Sequence, residues 1–238
     1  MNITYYGHSC FGVEINGKKI LFDPFISPNK LAKNIDLKTL RADYILISHG
    51  HKDHLADAEM LAKQTNARVI CNFEIQEWLS KKGIKNMIAM NVGGKVKLDF
   101  CNVKCVAAQH SSSLPDGSYG GNPMGFVVES DKGSFYYAGD TALTYDMKLI
   151  GDYRTIDFAF LPIGDVFTMG VDNALIACDF IRCWEVIGMH YDTFDAIKID
   201  KEEAKHKFER AGKKLTLMEI GETKHLDLTL KKAKEWEK

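Results

Sequence analysis

Short apolar runs that end in a polar residue alternate with amphipathic segments along most of the chain. The apolar runs are typical of buried strands, and they include "KKILFDPF", "ADYILISHG", "ARVICN", "GSFYYAGD", "DFAFLPIGD", "EVIGMHYDTF" and "KKLTLMEIG". Helical spacing occurs in "LADAEMLAKQT", "FEIQEWLSKKG", "VDNALIACDFIRCWE", "IDKEEAKHKFERAG" and the C-terminal segment. The pattern therefore predicts a mixed α/β protein in which two sheets face each other and helices cover their outer faces.

Length and composition limit the classes of protein to consider. With 238 residues, 45% of them hydrophobic, the chain can bury a sizeable core. Its length is consistent with one large domain or two fused halves, and we expect a single domain over 1–238. The formal net charge of −1 gives no electrostatic reason to expect a nucleic-acid partner. No apolar run approaches the roughly 18 residues of a membrane span. We expect no membrane association, and the sequence leaves open whether the chain forms a homo-oligomer.

The six cysteines and the first residues point to the cytoplasm. Neither close pair of cysteines has the CxxC spacing, and a chain of this length needs no disulfide framework, so we expect buried, reduced thiols. The start, "MNITYYGHSCFGVEI", lacks the basic and apolar regions of a secretory signal. Cytoplasmic localisation is the expectation that follows.

The largest cluster of histidines and acidic residues lies in "YILISHGHKDHLAD", directly behind an apolar run. Three of the eight histidines of the chain fall within six positions here, at His49, His51 and His54, with Asp53 among them. Imidazole nitrogens and carboxylates are metal ligands, and alternate residues of a turn after a strand can face one point. Asp53 could instead cap the following helix, which would leave the clustered imidazoles unexplained. This segment predicts part of a metal site.

Other strand ends supply further candidates. His110, Asp140 and His190 each follow an apolar run, and strand ends that lead into loops are where sites are built on a rigid scaffold. Taken singly, each histidine could be an ordinary polar residue and Asp140 could close an Asx-turn. Together they are candidates for completing the site.

The segment "HGHKDH" resembles the HxHxDH signature of the metallo-β-lactamase superfamily, and His110, Asp140 and His190 fall at its later ligand positions in the expected order. The motifs "YYGHSCF", "ILFDPF", "YAGDT" and "MHYDTF" look like the UPF0173 metal-dependent hydrolase group, close to the ascorbate-6-phosphate lactonase-like proteins. The resemblance covers essentially the whole chain and implies an α/β, four-layer αβ/βα sandwich of two mixed sheets flanked by helices.

The resemblance also implies the ligand sets and a cofactor of two divalent metal ions. The first ion would be held by His49, His51 and His110, and the second by Asp53, His54 and His190. Asp140 would bridge both. The donors are nitrogen and oxygen, which suit zinc, manganese or iron, with zinc weakly favoured. Two such ions can share a water and lower its pKa towards 7, which makes hydroxide available to attack a substrate at neutral pH.

Several residues beyond the metal ligands are candidates for the chemistry. Asp53 and His8 are the catalytic candidates. Asp53 can orient the hydroxide and return a proton. The resemblance places His8 at the mouth of the site, although it could also be a buried histidine with its hydrogen bonds satisfied. Asp23 could accept a hydrogen bond from a ligand imidazole, or could be a turn residue before Pro24.

The loop "HSSSLPDGSYGGNPMGF" is rich in small polar residues. Ser111, Ser112 and Asn122 could bind a substrate phosphate or carboxylate, but a flexible connection is equally consistent with its composition. His206 and His225 lie in lysine-rich segments and are predicted to be surface residues.

The function predicted is hydrolysis of a small, anionic ester, lactone or phosphodiester by the hydroxide formed at two metals. Asp140 stands where the secreted zinc β-lactamases have cysteine, which argues against antibiotic hydrolysis. The alternatives are a compact nuclease of the tRNA-processing type, for which we find no basic arm, and a non-catalytic metal-binding protein. All seven ligand positions are filled, which argues against a site that has lost catalysis.

Overall fold

The computed structural model describes residues 1–228, which form two seven-stranded sheets. The first sheet has the spatial order β14-β1-β2-β3-β4-β5-β6. Its strands are β1 (Asn2–Gly7), β2 (Cys10–Ile15), β3 (Lys18–Phe22), β4 (Tyr44–Leu46), β5 (Arg68–Asn72), β6 (Met87–Met90) and β14 (Thr223–His225). Strands β3 to β6 are parallel to one another, whereas β14, β1, β2 and β3 pair antiparallel.

The second sheet repeats this mixed arrangement, with the order β13-β12-β11-β10-β9-β8-β7. Its strands are β7 (Lys95–Lys97), β8 (Asn102–Ala107), β9 (Met124–Ser130), β10 (Gly133–Tyr137), β11 (Phe158–Pro162), β12 (Glu185–Met189) and β13 (Lys214–Thr216). Strands β10 to β13 are parallel, and β7 to β10 pair antiparallel.

Within residues 1–228, six α-helices lie between the strands in sequence. They are α1 (Lys52–Leu55), α2 (Ala58–Thr65), α3 (Phe73–Ser80), α4 (Met147–Tyr153), α5 (Val171–Ile181) and α6 (Lys201–Arg210). Buried side chains of α2 and α3 form one apolar cluster with one face of the first sheet, through residues such as Leu61, Ile75 and Val69. Residues of α4, α5 and α6 belong to the larger cluster that also contains the second sheet. Among residues 1–228, no helix has both the length and the apolar character needed to cross a bilayer.

Aromatic side chains fill the space between the sheets. The ring of Phe22 on β3 stacks on Tyr137 of β10 at 4.5 Å between centroids, and Phe11 on β2 lies 4.6 Å from Phe160 on β11. All four side chains are fully buried. Burial of each such side chain contributes about 1.5–3 kcal/mol of transfer free energy. The four-layer arrangement of helices and two mixed sheets expected from the sequence is confirmed.

Most predicted elements are present, with two notable differences. The helix predicted from "LADAEMLAKQT" is broken between α1 and α2, because the carboxylate of Asp57 accepts hydrogen bonds from the backbone N–H groups of Ile26 (2.6 Å) and Ser27 (2.8 Å). Short strands such as β14 had no clear pattern of their own. In α6, Asp200 caps the N–H of Glu203 as predicted. Part of the helix predicted for the C-terminal segment lies outside the described residues.

The strand directions bring the polar strand ends to one edge. Strands β3 and β4 run parallel, as do β10 and β12 with β11 between them, and β8 runs in the same direction as β10 because both pair antiparallel with β9. The carboxyl ends of these strands lead into Asp23, the 49–54 segment, His110, Asp140 and His190.

Candidate metal centre

Three imidazoles form a first group of potential ligands. The Nε2 atom of His49 lies 3.0 Å from Nδ1 of His51. His49, His51 and His110 each offer a nitrogen atom, and these atoms lie within 4.8 Å of one another. Two ligands of a tetrahedral ion with bonds of about 2.1 Å are separated by roughly 3.4 Å, so the spacing fits one ion.

A second group lies beside the first. His8, Asp53, His54 and His190 offer ligand atoms that lie within 4.8 Å of one another. Asp53, His54 and His190 are the set expected from the sequence, and His8 is the additional member. Asp53 does not cap α1, since that helix begins after His51 without a side-chain cap.

Asp140 lies between the two groups. Its Oδ2 atom is 3.5 Å from Nε2 of His110 and 3.9 Å from Nε2 of His49, both in the first group. The same oxygen is 3.2 Å from Nε2 of His54 and 3.0 Å from Nε2 of His190, in the second group. The carboxylate therefore lies within 3.9 Å of imidazole nitrogens from both groups.

The hydrogen bonds of His54 direct one ring nitrogen towards the place where a cation could bind in the second group. Nδ1 of His54 lies 2.8 Å from Oδ2 of Asp23, and because an ionised carboxylate only accepts, Nδ1 carries the proton. In the neutral ring Nε2 is then a lone pair that faces Asp140 Oδ2, and this buried nitrogen has no hydrogen-bond partner. Asp140 Oδ1 and His190 Nδ1 are also buried without one. Facing acceptors need a positive charge between them, which either a proton on Nε2 or a bound metal ion supplies.

The pKa values of these groups show that the buried carboxylates favour a positive charge on the neighbouring imidazole. Burial alone lowers the pKa of His54, but the carboxylates of Asp140 and Asp23 outweigh burial and raise that pKa well above its usual value. Burial also acts to raise the pKa of Asp140, yet the imidazoles of His54 and His190 hold it well below the usual range. Burial lowers the pKa of His49, which keeps this imidazole in the neutral form that binds metals.

Asp23 supports one imidazole from each group of potential ligands. It is fully buried, and its Oδ2 accepts hydrogen bonds from His54 Nδ1 (2.8 Å), the Ser48 hydroxyl (2.6 Å) and the Tyr137 hydroxyl (2.8 Å). Ser48 Oγ in turn lies 2.9 Å from Nδ1 of His49. Asp23 therefore fixes the His54 ring directly and the His49 ring through Ser48. The contact with a ligand imidazole was anticipated from the sequence, but Ser48 and Tyr137 were missed, because no motif marks a hydroxyl that comes from a facing sheet.

His8 is held between two polar partners. It is buried, its Nε2 lies 3.2 Å from Oδ2 of Asp53, and its Nδ1 lies 3.0 Å from Oγ1 of Thr193. Burial and the neighbouring His190 lower the pKa of His8 to about 4, so the ring is neutral at pH 7. His8, Asp23 and His190 have φ angles of 56°, 41° and 55°. Left-handed backbone at non-glycine residues is strained, and such strain concentrates at functional sites.

The polar loop after His110 is anchored rather than a loose connection. The hydroxyl of Ser112 accepts the backbone N–H of Gly50 at 3.0 Å, and Asn72 donates to the carbonyl oxygens of Gly120 (2.7 Å) and Asn122 (3.2 Å). The Ser111 hydroxyl lies 3.4 Å from Nε2 of His51, so it contacts the ring of a potential ligand. The substrate-binding roles of Ser111, Ser112 and Asn122 stay predictions. The six cysteines are buried in the thiol form, and His206 and His225 are exposed, as predicted.

Comparison with known proteins relates this site to a family. A sequence model described as the beta-lactamase superfamily domain matches residues 18–191. The UPF0173 metal-dependent hydrolase of Methylacidiphilum infernorum is 55% identical over 94% of this chain and 99% of that protein. The corresponding Flavobacterium johnsoniae protein is 53% identical over the same shares.

A solved structure supports the same relationship. Igni18, a metallo hydrolase from the hyperthermophilic archaeon Ignicoccus hospitalis, is 38% identical and superposes with a TM-score of 0.85 over 94% of this chain and 98% of that chain. Sequence identity of this extent, together with the shared fold and the His/Asp cluster, leads to one conclusion. The chain belongs to the metallo-β-lactamase superfamily, in its UPF0173 group, and is a metal-dependent hydrolase.

Proposed function

We propose that this protein is a dinuclear hydrolase that acts on a small, anionic ester, lactone or phosphodiester. His49, His51 and His110 would hold one divalent ion, Asp53, His54 and His190 the other, and Asp140 would contact both. The observation that carries the proposal is the position of Asp140 Oδ2, which lies within 3.9 Å of an Nε2 atom of four histidines from both groups.

Bound divalent ions supply Lewis acidity and lower the pKa of a water ligand. The surrounding residues would orient the attacking water and transfer the proton. The side chain of Asp53 is 28% exposed to solvent, unlike the buried imidazole of His8 beside it, so this carboxylate can contact both water and substrate. We assign to Asp53 the orientation of the attacking water and the return of a proton to the leaving oxygen.

His8 is a positioning residue in this proposal. Its Nε2–H donates to Asp53 Oδ2, and its Nδ1 accepts from the hydroxyl of Thr193, so the Asp53 carboxylate is held in one rotamer. Because Nε2 is already used in this contact, we assign His8 to the orientation of Asp53 rather than to metal binding. Replacing His8 with Ala should lower kcat more than it lowers metal content.

A small anionic substrate fits the charges of the chain. The net charge of −1 lacks the excess of cations that drives association with long nucleic acids by counterion release. Two divalent ions attract anions locally whatever the total charge. The donor set contains nitrogen and oxygen and no thiolate, which suits zinc, manganese or iron, and zinc is our first choice.

The test begins with metal analysis of the protein after removal of metals and reconstitution with zinc, manganese or iron. We expect two ions per chain, and clearly less than one would refute the proposed site. The loaded protein is then assayed on a panel of esters, lactones and phosphodiesters, with Asp53→Ala as the inactive control. Cleavage of structured RNA at low protein concentration, without turnover of any small substrate, would instead favour the nuclease alternative.

A further inference from the structure

A tight hairpin follows β11 and contacts the candidate metal centre. Gly164 and Gly170 form an isolated antiparallel bridge, and the N–H of Asp165 donates to the carbonyl of Met169 at 3.1 Å. The tip contains Asp165 and Val166 with φ angles of 61° and 58°. A β-branched residue in this region is an outlier that costs of order 1–3 kcal/mol. The hairpin keeps an unfavourable backbone at its tip.

The base of the hairpin packs on segments that carry potential ligands. The N–H of Met169 donates to the carbonyl of Thr141, the neighbour of Asp140, at 3.0 Å. Thr141 Oγ1 accepts the N–H of Gln109, the neighbour of His110, at 3.0 Å. Gly164 lies so close to His190 that an added Cβ would overlap the His190 carbonyl oxygen. The position of the hairpin is therefore fixed relative to both groups of ligands.

The tip presents apolar side chains to solvent. Val166 is 66% exposed and Phe167 is 54% exposed. Neither residue contributes to the core, and a strained turn that holds adjacent apolar residues in water gains nothing for stability. Since the base of the hairpin contacts the segments of Asp140 and His190, these exposed side chains are available for contact with a molecule bound near the candidate metal centre.

A second exposed aromatic ring lies on the segment that follows His190. Phe194 is 41% exposed, and its ring centroid is 5.4 Å from that of His8 and 6.3 Å from that of Phe25. Since His8 contacts Asp53, Phe194 lies one side chain away from the proposed reacting atoms. Ile197 on the same segment packs near Gly164, which connects this segment to the hairpin base.

We propose that Phe167 and Phe194 form an apolar rim that binds the non-polar part of the substrate. The inference rests on the proposed function and narrows it: the substrate is an amphipathic ester or lactone with an alkyl or aryl portion next to its hydrolysable group. Hydrolysis breaks the acyl C–O bond and joins the acyl carbon to the oxygen of water. One proton goes to the leaving oxygen and another to solvent, which yields a carboxylate and an alcohol.

An apolar rim predicts that kcat/KM depends on the length of the alkyl chain of the substrate. A fully buried methylene group lowers the transfer free energy enough to change an equilibrium about fourfold. The rim is partly open to solvent, so we expect kcat/KM to rise about twofold per added methylene in a series of acyl esters or alkyl-substituted lactones. Phe167→Ala and Phe194→Ala should each flatten this slope while metal content stays unchanged.

Trp184→Ala is the matched control. Trp184 is 55% exposed and lies before β12, whereas His190 follows the same strand, which places them about 20 Å apart. The control should keep the wild-type slope. Binding without turnover is measured in parallel, by calorimetry of butanoate, hexanoate and octanoate with the metal-loaded protein. Affinity should rise along this series and should do so less in Phe167→Ala.

The outcomes separate the two proposals. Absence of turnover on every ester, lactone and phosphodiester would refute the proposed function, while the carboxylate series would still test the rim. Turnover or binding that is independent of chain length would overturn the rim. A smaller particle in sedimentation for Phe167→Ala than for wild type would also overturn it, because the patch would then be a contact between copies of the chain.

Discussion

Asp23→Asn tests how far the two groups of ligands depend on one buried carboxylate. Three donors reach Oδ2 of Asp23, and the N–H of Ser48 reaches Oδ1 at 2.7 Å. An asparagine would best direct its oxygen towards the three donors, which turns its NH₂ group towards the Ser48 N–H. Two buried donors would then face each other.

The magnitude follows from these contacts. An unsatisfied buried amide costs about 1–3 kcal/mol, and hydrogen bonds to a neutral acceptor are weaker by about 1 kcal/mol than those to a charged one. We expect a loss of about 2–4 kcal/mol in the free energy of unfolding of the metal-free protein. For a chain of this size that corresponds to a decrease of roughly 4–16 °C in Tm. Because His54 and His49 lose their support, metal affinity should fall about 10–100-fold.

Thermal unfolding of the metal-free protein and competition with a chelator measure the two effects separately. Tyr137→Phe is the control, since it removes the hydroxyl whose single proton is shared between Asp23 Oδ2 and the Ser9 carbonyl oxygen but leaves the carboxylate with His54. It should cost about 1 kcal/mol and change metal affinity much less. If Asp23→Asn keeps its metal affinity within twofold of the wild type, the assignment of Asp23 as the support of both groups is wrong.

Further changes test other parts of the structure. Asp57→Ala should destabilise the protein by about 2–4 kcal/mol in chemical denaturation, because two backbone N–H groups and the Ser27 hydroxyl lose their acceptor; a loss below 0.5 kcal/mol would contradict this. Gly164→Ala should reduce turnover at least tenfold, because the new methyl group displaces His190, and unchanged kinetics would refute the contact. Burial raises the pKa of Cys101 to about 12, so only a very small fraction of this thiol is ionised at pH 8; Ellman's reagent should not modify the native protein at pH 8 but should modify six thiols in denaturant.

The sequence was most informative where one segment carried the whole signal. The potential ligands at 49–54 are four residues in one turn, and their crowding alone indicates a metal site. His110, Asp140 and His190 were individually ambiguous, because their proximity depends on strand order and direction in the second sheet. The resemblance to a family, rather than periodicity, supplied that long-range information.

Other features could not be predicted from local patterns. The break between α1 and α2 depends on Asp57 meeting backbone groups at Ile26 and Ser27, about 30 residues earlier in the chain. The role of Tyr137 depends on the packing of one sheet against the other. The left-handed backbone at Val166 contradicts the preference of a β-branched residue, so propensity would have favoured a different conformation there.

The distribution of ligand positions over the two sheets has a consequence for how the molecule opens. Each group takes residues from the 49–54 segment of the first sheet and from a strand end of the second, at His110 or His190. A bound ion is therefore a cross-link that closes a loop of about 60 or about 140 residues, as a disulfide would. Metal removal should leave the aromatic core intact but let the two sheets separate at this edge. Hydrogen exchange would then quicken at the carboxyl ends of β4, β8 and β12 while their opposite ends stay protected.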